Sequence, residues 1–387
     1  LCIDAAGSCV LAGVRSLLVT GVCLLLLACE GAAGPLAEGP KGPPRAPRDG
    51  GEAADAGAPT MPSADAGAQE LPAFVTRDGT ELEVDNARLR FIGVNLRALP
   101  HYGTPALPYS KAADIEVELD GAKQAGATVV RVFAASDDAA AGVVAARLGR
   151  VLDGASQRGL YVIVALTDFY LTGLFPRGDG PSYVGSPSGL TLLSTDWFRS
   201  GFEQHYLPWV RTVVGRYGAH PAVLAWELGN ELQCPGDAEA FLAFARTVGA
   251  EIHARSSHLV ASGMITSAWL SPADARRLYA SAELDLITVH DYDGAHLFDD
   301  SGLAAEAGKP FIVEEAGFER GDRPAQVDAD VRWWVDGRGA RGYLQWGFTA
   351  VVPDNGNGDL RWGMDRFFHS DFEALARTYR QQAARIR

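Results

Sequence analysis

From residue 88 to its end the chain alternates eight short, apolar, β-branched runs with longer segments of helical spacing, and that rhythm restricts the fold more than any other feature. The runs are 88–95 (RLRFIGVN), 127–133 (ATVVRVF), 160–167 (LYVIVALT), 222–230 (AVLAWELGN), 258–264 (HLVASGM), 284–290 (LDLITVH), 309–316 (KPFIVEEA) and 341–348 (RGYLQWGF). Several are hydrophobic almost without interruption, as parallel strands covered on both faces are; half-exposed antiparallel strands alternate instead. Helical patterns fill 111–125, 139–157, 198–217, 237–255 and 324–337, with a last one at 370–386. Eight β-α units in order is the number that closes a (β/α)8 TIM barrel, an α/β architecture that keeps one core at this length. An open doubly wound sheet usually carries a glycine-rich phosphate turn after its first strand; GVNLRALP has none. Residues 74–86 (FVTRDGTELEVDN) read as a hairpin with an Asp-Gly turn that plugs the barrel bottom.

The first 72 residues are of another kind. The segment 14–29 (VRSLLVTGVCLLLLAC) sets Arg15 before an apolar run that ends at Cys29. It is too short for an ordinary membrane span and reads as a signal peptide. Leu26-Leu27-Ala28-Cys29 resembles a bacterial lipobox, whose cysteine becomes the lipidated first residue, although Leu27 is bulkier than the usual small residue. The expected product is a secreted lipoprotein at the bacterial cell surface or in the periplasm. Residues 1–13 have no place in this scheme, and translation is expected to begin near Val14. Residues 30–72, dominated by Ala, Gly and Pro, cannot bury enough apolar surface to offset their chain entropy. They read as a disordered linker ahead of a single domain, 73–387.

From residue 71 on, 30 Lys and Arg face 40 Asp and Glu. That balance disfavours nucleic acid or an anionic membrane as partner and suits a neutral substrate; a membrane would be met only through the lipid anchor. Four of the five cysteines lie at or before Cys29, which leaves Cys234 as a small packed residue. There is no disulfide framework, neither metal nor cofactor is expected, and a monomer is.

In such a barrel the chemistry sits at the carboxyl ends of the strands. Those ends carry Asn95, Arg131, Asp168, Asn230, Glu231, His290, Tyr292, Glu315 and Trp346. Glu231 follows the fourth strand and Glu315 ends the seventh, so they face each other across an eight-stranded barrel. Glycoside hydrolysis uses such a pair: one carboxylic acid protonates the leaving oxygen and the other carboxylate attacks the anomeric carbon. Retention of configuration goes with carboxyl groups about 5–5.5 Å apart. Glu227 and Glu314 are rivals on the same strands. Glu227 lies deep, where a charge is structural and paired, and Glu314 is expected to point away from Glu315 because strand side chains alternate. Trp197 and Phe169, on loops near the rim, are further candidates for sugar contact. Trp209, Trp333 and Trp334 fall at helical spacing and read as packing; His101, His205, His220 and His253 read as surface or loop residues.

HPAVLAWELGNEL around Glu231 and KPFIVEEAGF around Glu315 resemble the acid/base and nucleophile strands of clan A retaining glycoside hydrolases. Family 5 is the nearest group, and within it the endo-β-1,4-mannanases. FVTRDGTELEVDNARLRFIGVN, GATVVRVFAASDD, the STDWF segment, AWELGNELQC and DLITVHDYD extend the likeness over most of the chain after residue 73. The resemblance implies that Glu231 is the acid/base, with a raised pKa, and Glu315 the ionised nucleophile held by Arg131. It implies that Asn230 binds the sugar 2-OH, that His290 and Tyr292 are the family's His-x-Tyr pair, and that Trp346 floors the −1 site. Asn95, Asp168 and Trp197 stand as further substrate contacts.

The function implied is endo-acting hydrolysis of β-1,4-linked mannan. The alternatives are a β-glucanase or cellulase, an exo-acting glycosidase of the same clan, and a non-catalytic carbohydrate-binding lipoprotein. Three places depart from the family. Leu96-Arg97-Ala98 replaces aromatic residues after the first strand, Leu232 stands where proline is common, and Ala316 where an aromatic is usual. DNGNGD (354–359) has the composition of a calcium loop without its full ligand set and reads as a turn.

Overall fold

Each apolar run becomes a strand, six within the span read for them and two running one or two residues past it: β1 Phe91–Asn95, β2 Val129–Phe133, β3 Tyr161–Ala165, β4 Val223–Glu227, β5 Leu259–Ala261, β6 Ile287–Tyr292, β7 Phe311–Gly317 and β8 Gly342–Gln345. The structure, a computed structural model, describes residues 74–104, 107, 110–135, 141–171, 181–186, 190–352 and 356–387. The expected signal peptide, lipidated Cys29 and linker lie outside the described residues.

The strands pair in parallel in the order β5-β4-β3-β2-β1-β8-β7-β6. Ala261 bridges to Leu286, just ahead of β6, and Ser262 N donates to Leu286 O at 3.1 Å. The two edges therefore meet, and the sheet closes into a (β/α)8 barrel.

One helix follows each strand: α1 Asp114–Gln124, α2 Ala141–Gln157, α3 Leu207–Tyr217, α4 Ala238–His253, α5 Pro272–Tyr279, α6 Ser301–Glu306, α7 Arg323–Val331 and α8 Phe372–Ile386. In α4, Phe241, Phe244, Ala245, Val248 and Ile252 are buried, a spacing of three and four that lays one face on the barrel. Asp237 Oδ1 caps that helix by accepting from Ala240 N at 3.0 Å. The helix expected over 198–217 is broken at Tyr206: Phe202–His205 ends there, and α3 starts afresh with Pro208, which has no N–H to continue a ladder.

At the amino-terminal end of the barrel, Thr76–Asp78, Glu81–Val84 and Ala87–Arg88 form an antiparallel sheet. Besides the expected turn at Gly79, a second turn puts both Asp85 (φ 51°) and Asn86 (φ 63°) in the left-handed region, as a two-residue hairpin loop requires. Arg77 reaches Asp285 at 3.2 Å, ahead of β6, and Glu81 reaches Arg341 at 2.6 Å, ahead of β8. The sheet covers the barrel bottom. His101, read as a surface or loop residue, is buried, with Nε2 3.2 Å from Phe133 O.

Behind β6 a polar network joins strand and helix layers. Asp291 accepts from Trp334 Nε1 (3.0 Å) and His296 N (2.9 Å); Asp330 accepts from Tyr343 Oη (2.7 Å) and pairs with His296 Nε2 at 2.6 Å. Burial, with Asp330 nearby, pushes Asp291 up to about 6. Asp291, His296 and Asp330 have the spacing of metal ligands, but all four carboxylate oxygens already meet protein donors. The network fixes the loop that follows Tyr292. No helix among the described residues is long and apolar enough to cross a membrane.

Gly342 on β8 pairs with Phe91 on β1, and a Cβ at Gly342 would lie 2.2 Å from the Phe91 ring. Gly342→Ala is expected to lower stability by about 1–3 kcal/mol in urea unfolding, as overpacked cores do. Part of the loss should return in a Phe91→Leu background.

Candidate active site

Arg131, on β2, is wholly buried at the carboxyl end of the barrel and uses all three of its nitrogens. Nε and Nη2 grip Glu227 at 2.7 Å each, Nη2 also donates to Asn230 Oδ1 (2.9 Å), and Nη1 donates to Asn95 Oδ1 (3.1 Å) and Glu315 Oε1 (2.5 Å). A planar, permanently charged fork is suited to serving four side chains from the ends of three other strands at once. Glu227 is thus structural and paired. Gly263, at φ 64°, lets β5 come close: a Cβ there would lie 2.2 Å from Gly229 O and 2.4 Å from Glu227 Oε1.

Glu315 Oε2 accepts from Tyr292 Oη at 2.6 Å and lies 3.3 Å from His290 Nδ1. The same Nδ1 is 2.7 Å from Glu231 Oε1. One ring nitrogen therefore stands between the two carboxylates, and Glu231, His290 and Glu315 each offer an atom within 4.8 Å of the others. Glu231 reaches this position through a left-handed backbone (φ 54°), its N–H bound to Gly263 O at 2.7 Å. A non-glycine residue held there stores strain of about 1–3 kcal/mol.

The charges are uneven. Burial alone would lower His290, but Glu315, Glu231 and Glu314 outweigh it and push the imidazole up to about 10. Burial raises Glu315, with Glu231 adding to the rise and His290, Arg131 and the Tyr292 hydroxyl opposing it.

Glu314 does not point away from Glu315. The pairing of β7 slips on both sides, from Val289↔Val313 to His290↔Glu315 and from Val313↔Tyr343 to Ala316↔Gln345. This β-bulge inserts an extra residue and suspends the alternation. The Glu314 carboxylate lies inside, 3.6 Å from Arg131 Nε and 3.8 Å from His290 Nε2. Burial, opposed by Arg131 and helped by Glu314, pushes Glu227 up to about 8. Glu314 is buried too, but Arg131 and His290 hold it below the usual range.

Asn230 gives one amide hydrogen to Asp168 Oδ1 (2.9 Å) and its oxygen to Arg131, which leaves one N–H for a ligand. Burial pushes Asp168 up to about 7. Trp346 keeps 8% of its surface exposed at the mouth, its Nε1 3.4 Å from Asp359 Oδ2.

Two candidates are not at the cleft. Asn95 is 1% exposed and spends its amide on Glu314 O (2.9 Å) and Gln345 O (3.2 Å), so it clamps β1 to β7 and β8 and has nothing left for a sugar. Trp197 is 2% exposed, packed among Phe198, Phe244 and Tyr206 at centroid distances of 4.9, 5.3 and 5.7 Å. The STDWF segment turns it inward under α4 instead of toward the rim. Phe169 lines a groove of about 440 Å³ with Leu192, Gln233, Cys234 and Pro235, two residues beyond Glu231.

Trp362 is the residue that sequence reasoning missed. Its ring lies 4.9 Å from that of Tyr292, and its Nε1 donates to Asp293 Oδ2 at 2.9 Å. It stands on the loop after β8, where no periodicity or motif marks it. In DNGNGD, Asn357 accepts from Ala98 N (2.7 Å) and Asp359 from Trp362 N (2.8 Å), both as turn contacts.

No protein-family model matches the chain. Mannan endo-1,4-β-mannosidase F of Aspergillus fumigatus is 25% identical over 205 residues, 46% of this chain and 44% of that protein. The chain thus spans less than two-thirds of that relative's length. Mannan endo-1,4-β-mannosidase A of Hypocrea jecorina is 26% identical over 337 residues, 74% of this chain and 73% of that one. Among solved structures, the endo-1,4-β-mannanase of Rhizomucor miehei superimposes with a TM-score of 0.62 at 17% identity, over 81% of this chain and all of that one.

Arg131→Met would leave Glu227 and Glu315 buried without their cation, and is expected to cost about 3–5 kcal/mol in denaturant unfolding. Glu231→Gly should do the reverse: by releasing the left-handed strain it should raise stability by roughly 1 kcal/mol. A lower melting temperature for that variant would remove the strain argument.

Proposed function

We propose that the chain is a retaining glycoside hydrolase of family 5 that cleaves β-1,4-linked mannan internally. The observation that carries this reading is the pair Glu231 and Glu315, on facing strand ends, with oxygens within 4.8 Å and one imidazole nitrogen between them. That spacing suits double displacement and leaves too little room for the water of an inverting enzyme.

Glu231 gives its proton to the glycosidic oxygen as Glu315 attacks the anomeric carbon, so the sugar–oxygen bond breaks and a glycosyl ester forms on Glu315. Glu231 then takes a proton from water, whose oxygen displaces the ester and restores Glu315. Arg131 and the Tyr292 hydroxyl each hold one oxygen of Glu315, orienting the carboxylate for in-line attack. The spare N–H of Asn230 is assigned to the sugar 2-OH, a contact that tightens as the ring approaches the oxocarbenium state. Trp346 is assigned as the stacking floor. Similarity to the mannan endo-1,4-β-mannosidases of Aspergillus fumigatus and Hypocrea jecorina supports mannan as the polymer.

Release assays on mannan, glucomannan, cellulose and xylan test the reading, with proton NMR following the anomer first formed. Mannan should be turned over with the β-anomer appearing first. Glu231→Ala should slow the reaction about 10²–10⁴-fold, and Glu315→Ala should leave only background. Cellulose turnover without mannan turnover would sink the substrate, and turnover surviving the loss of Glu315 would sink the mechanism. For residues 1–29 the proposal is a lipobox signal peptide; Cys29→Ser is then expected to move the protein from the detergent phase to the aqueous phase.

A further inference from the structure

His290 faces the two reacting carboxylates with one nitrogen only. Its other nitrogen, Nε2, is buried and meets no hydrogen-bond partner, and neither oxygen of Glu314 does. These groups lie 3.8 Å apart. Glu314 is there because of the β7 bulge, which turns two successive glutamates into the barrel. A wholly buried carboxylate without a donor is costly, and a regular strand would have avoided it. Its placement therefore calls for a role in the site.

We propose that Glu314 is a positioning residue: paired with Nε2 of His290, it keeps that ring doubly protonated and so fixes Nδ1 as the donor to Glu231. Glu231, from beyond β4, and Glu315, from β7, face Nδ1; Glu314 faces Nε2. Tyr292, on the strand of His290, is engaged with Glu315. Arg131, from β2, lies on the far side, with Glu314 at 3.6 Å and Glu227 in its grip. Among the described residues the imidazole thus has a carboxylate facing each nitrogen and no cation at bonding distance. This arrangement favours the imidazolium, and the upward push on His290 agrees with it.

The consequence falls on Glu231. A doubly protonated ring keeps Nδ1–H as a fixed donor to Glu231 Oε1 at 2.7 Å and so holds that carboxyl group in place. Replacing Glu314 by an uncharged residue lowers the proton affinity of His290. The ring becomes neutral at working pH, and Nδ1 is no longer fixed as the donor to Glu231.

The test is Glu314→Gln, with Glu314→Asp as the variant that restores the charge. Nitrogen-15 NMR of histidine-labelled protein should find both ring nitrogens of His290 protonated up to pH 8 in the wild type and in Glu314→Asp, and one proton lost below pH 8 in Glu314→Gln. On the kinetic side, kcat should fall about tenfold in Glu314→Gln with KM little changed, and return in Glu314→Asp. The kinetic arm rests on the β-glycan reading; the NMR arm does not, so the two can fail separately. Should Glu314→Gln not fold, the wild-type spectrum still decides. A His290 ring that is neutral at pH 7, or that titrates alike in wild type and Glu314→Gln, overturns the proposal.

Discussion

Everything at the mouth of the barrel depends on a guanidinium that has no water to fall back on. Arg131 is 0% exposed, and five hydrogen bonds from it tie β2 to Asn95 of β1, Glu227 of β4, Asn230 beyond β4 and Glu315 of β7. Burying a cation this deep is tolerable only because Glu227 takes two of those bonds in fork geometry and Glu315 another. The same bonds set the position of Glu315 and Asn230. Stability and alignment here are one set of contacts. Lysine, with three donors on one nitrogen and no planar fork, could not grip Glu227 bidentately and reach Asn95, Asn230 and Glu315 as well.

Around that cation the regular barrel gives way twice, and both departures lie beside the carboxylate pair. Glu231 sits in the left-handed region, where a glutamate has no intrinsic reason to be. The bulge at Glu314 places two glutamates inside where alternation permits one. The surrounding structure over-determines both departures: the N–H of Glu231 is pinned by Gly263, and the carbonyl of Glu314 by Asn95.

These departures also mark the limit of what the sequence discloses. The eight strands are legible because parallel strands covered on both faces are nearly continuous apolar runs, and each lies within the span read for it or overruns it by no more than two residues. The rule that strands deliver polar groups at their carboxyl ends brings out Arg131, Asn230, Glu231, His290, Tyr292 and Glu315, and the structure gathers these six. The same rule errs on Asn95, because position at a strand end does not tell whether a side chain faces solvent or a neighbouring backbone. Alternation of strand side chains misdirects Glu314, since a one-residue slip in pairing leaves no trace in composition. Trp197 was misplaced because an aromatic in a rim loop and one folded beneath a helix look alike in a string of letters. The helices α5 and α6, of eight and six residues, are too short to display a period.

The loop after β8 is tied across the mouth of the barrel. Its turn is tied to the loop after β1, by Arg97 to Gly356 O at 2.9 Å and by Asn357 to Tyr102 Oη at 2.7 Å. Farther along it is tied to the β6 and β7 ends, by Trp362 to Asp293 at 2.9 Å and Arg361 to Glu319 at 3.2 Å. One segment thus spans the mouth from the first strand to the sixth and braces Tyr292, which in turn holds Glu315. Arg97 lies 5.3 Å over the ring of Trp346. A cation there competes for the face on which a pyranose would stack. Any ligand that uses that face must displace Arg97 or bond its remaining N–H groups, whereas the carboxylate pair beneath it is held by contacts that the loop does not touch directly.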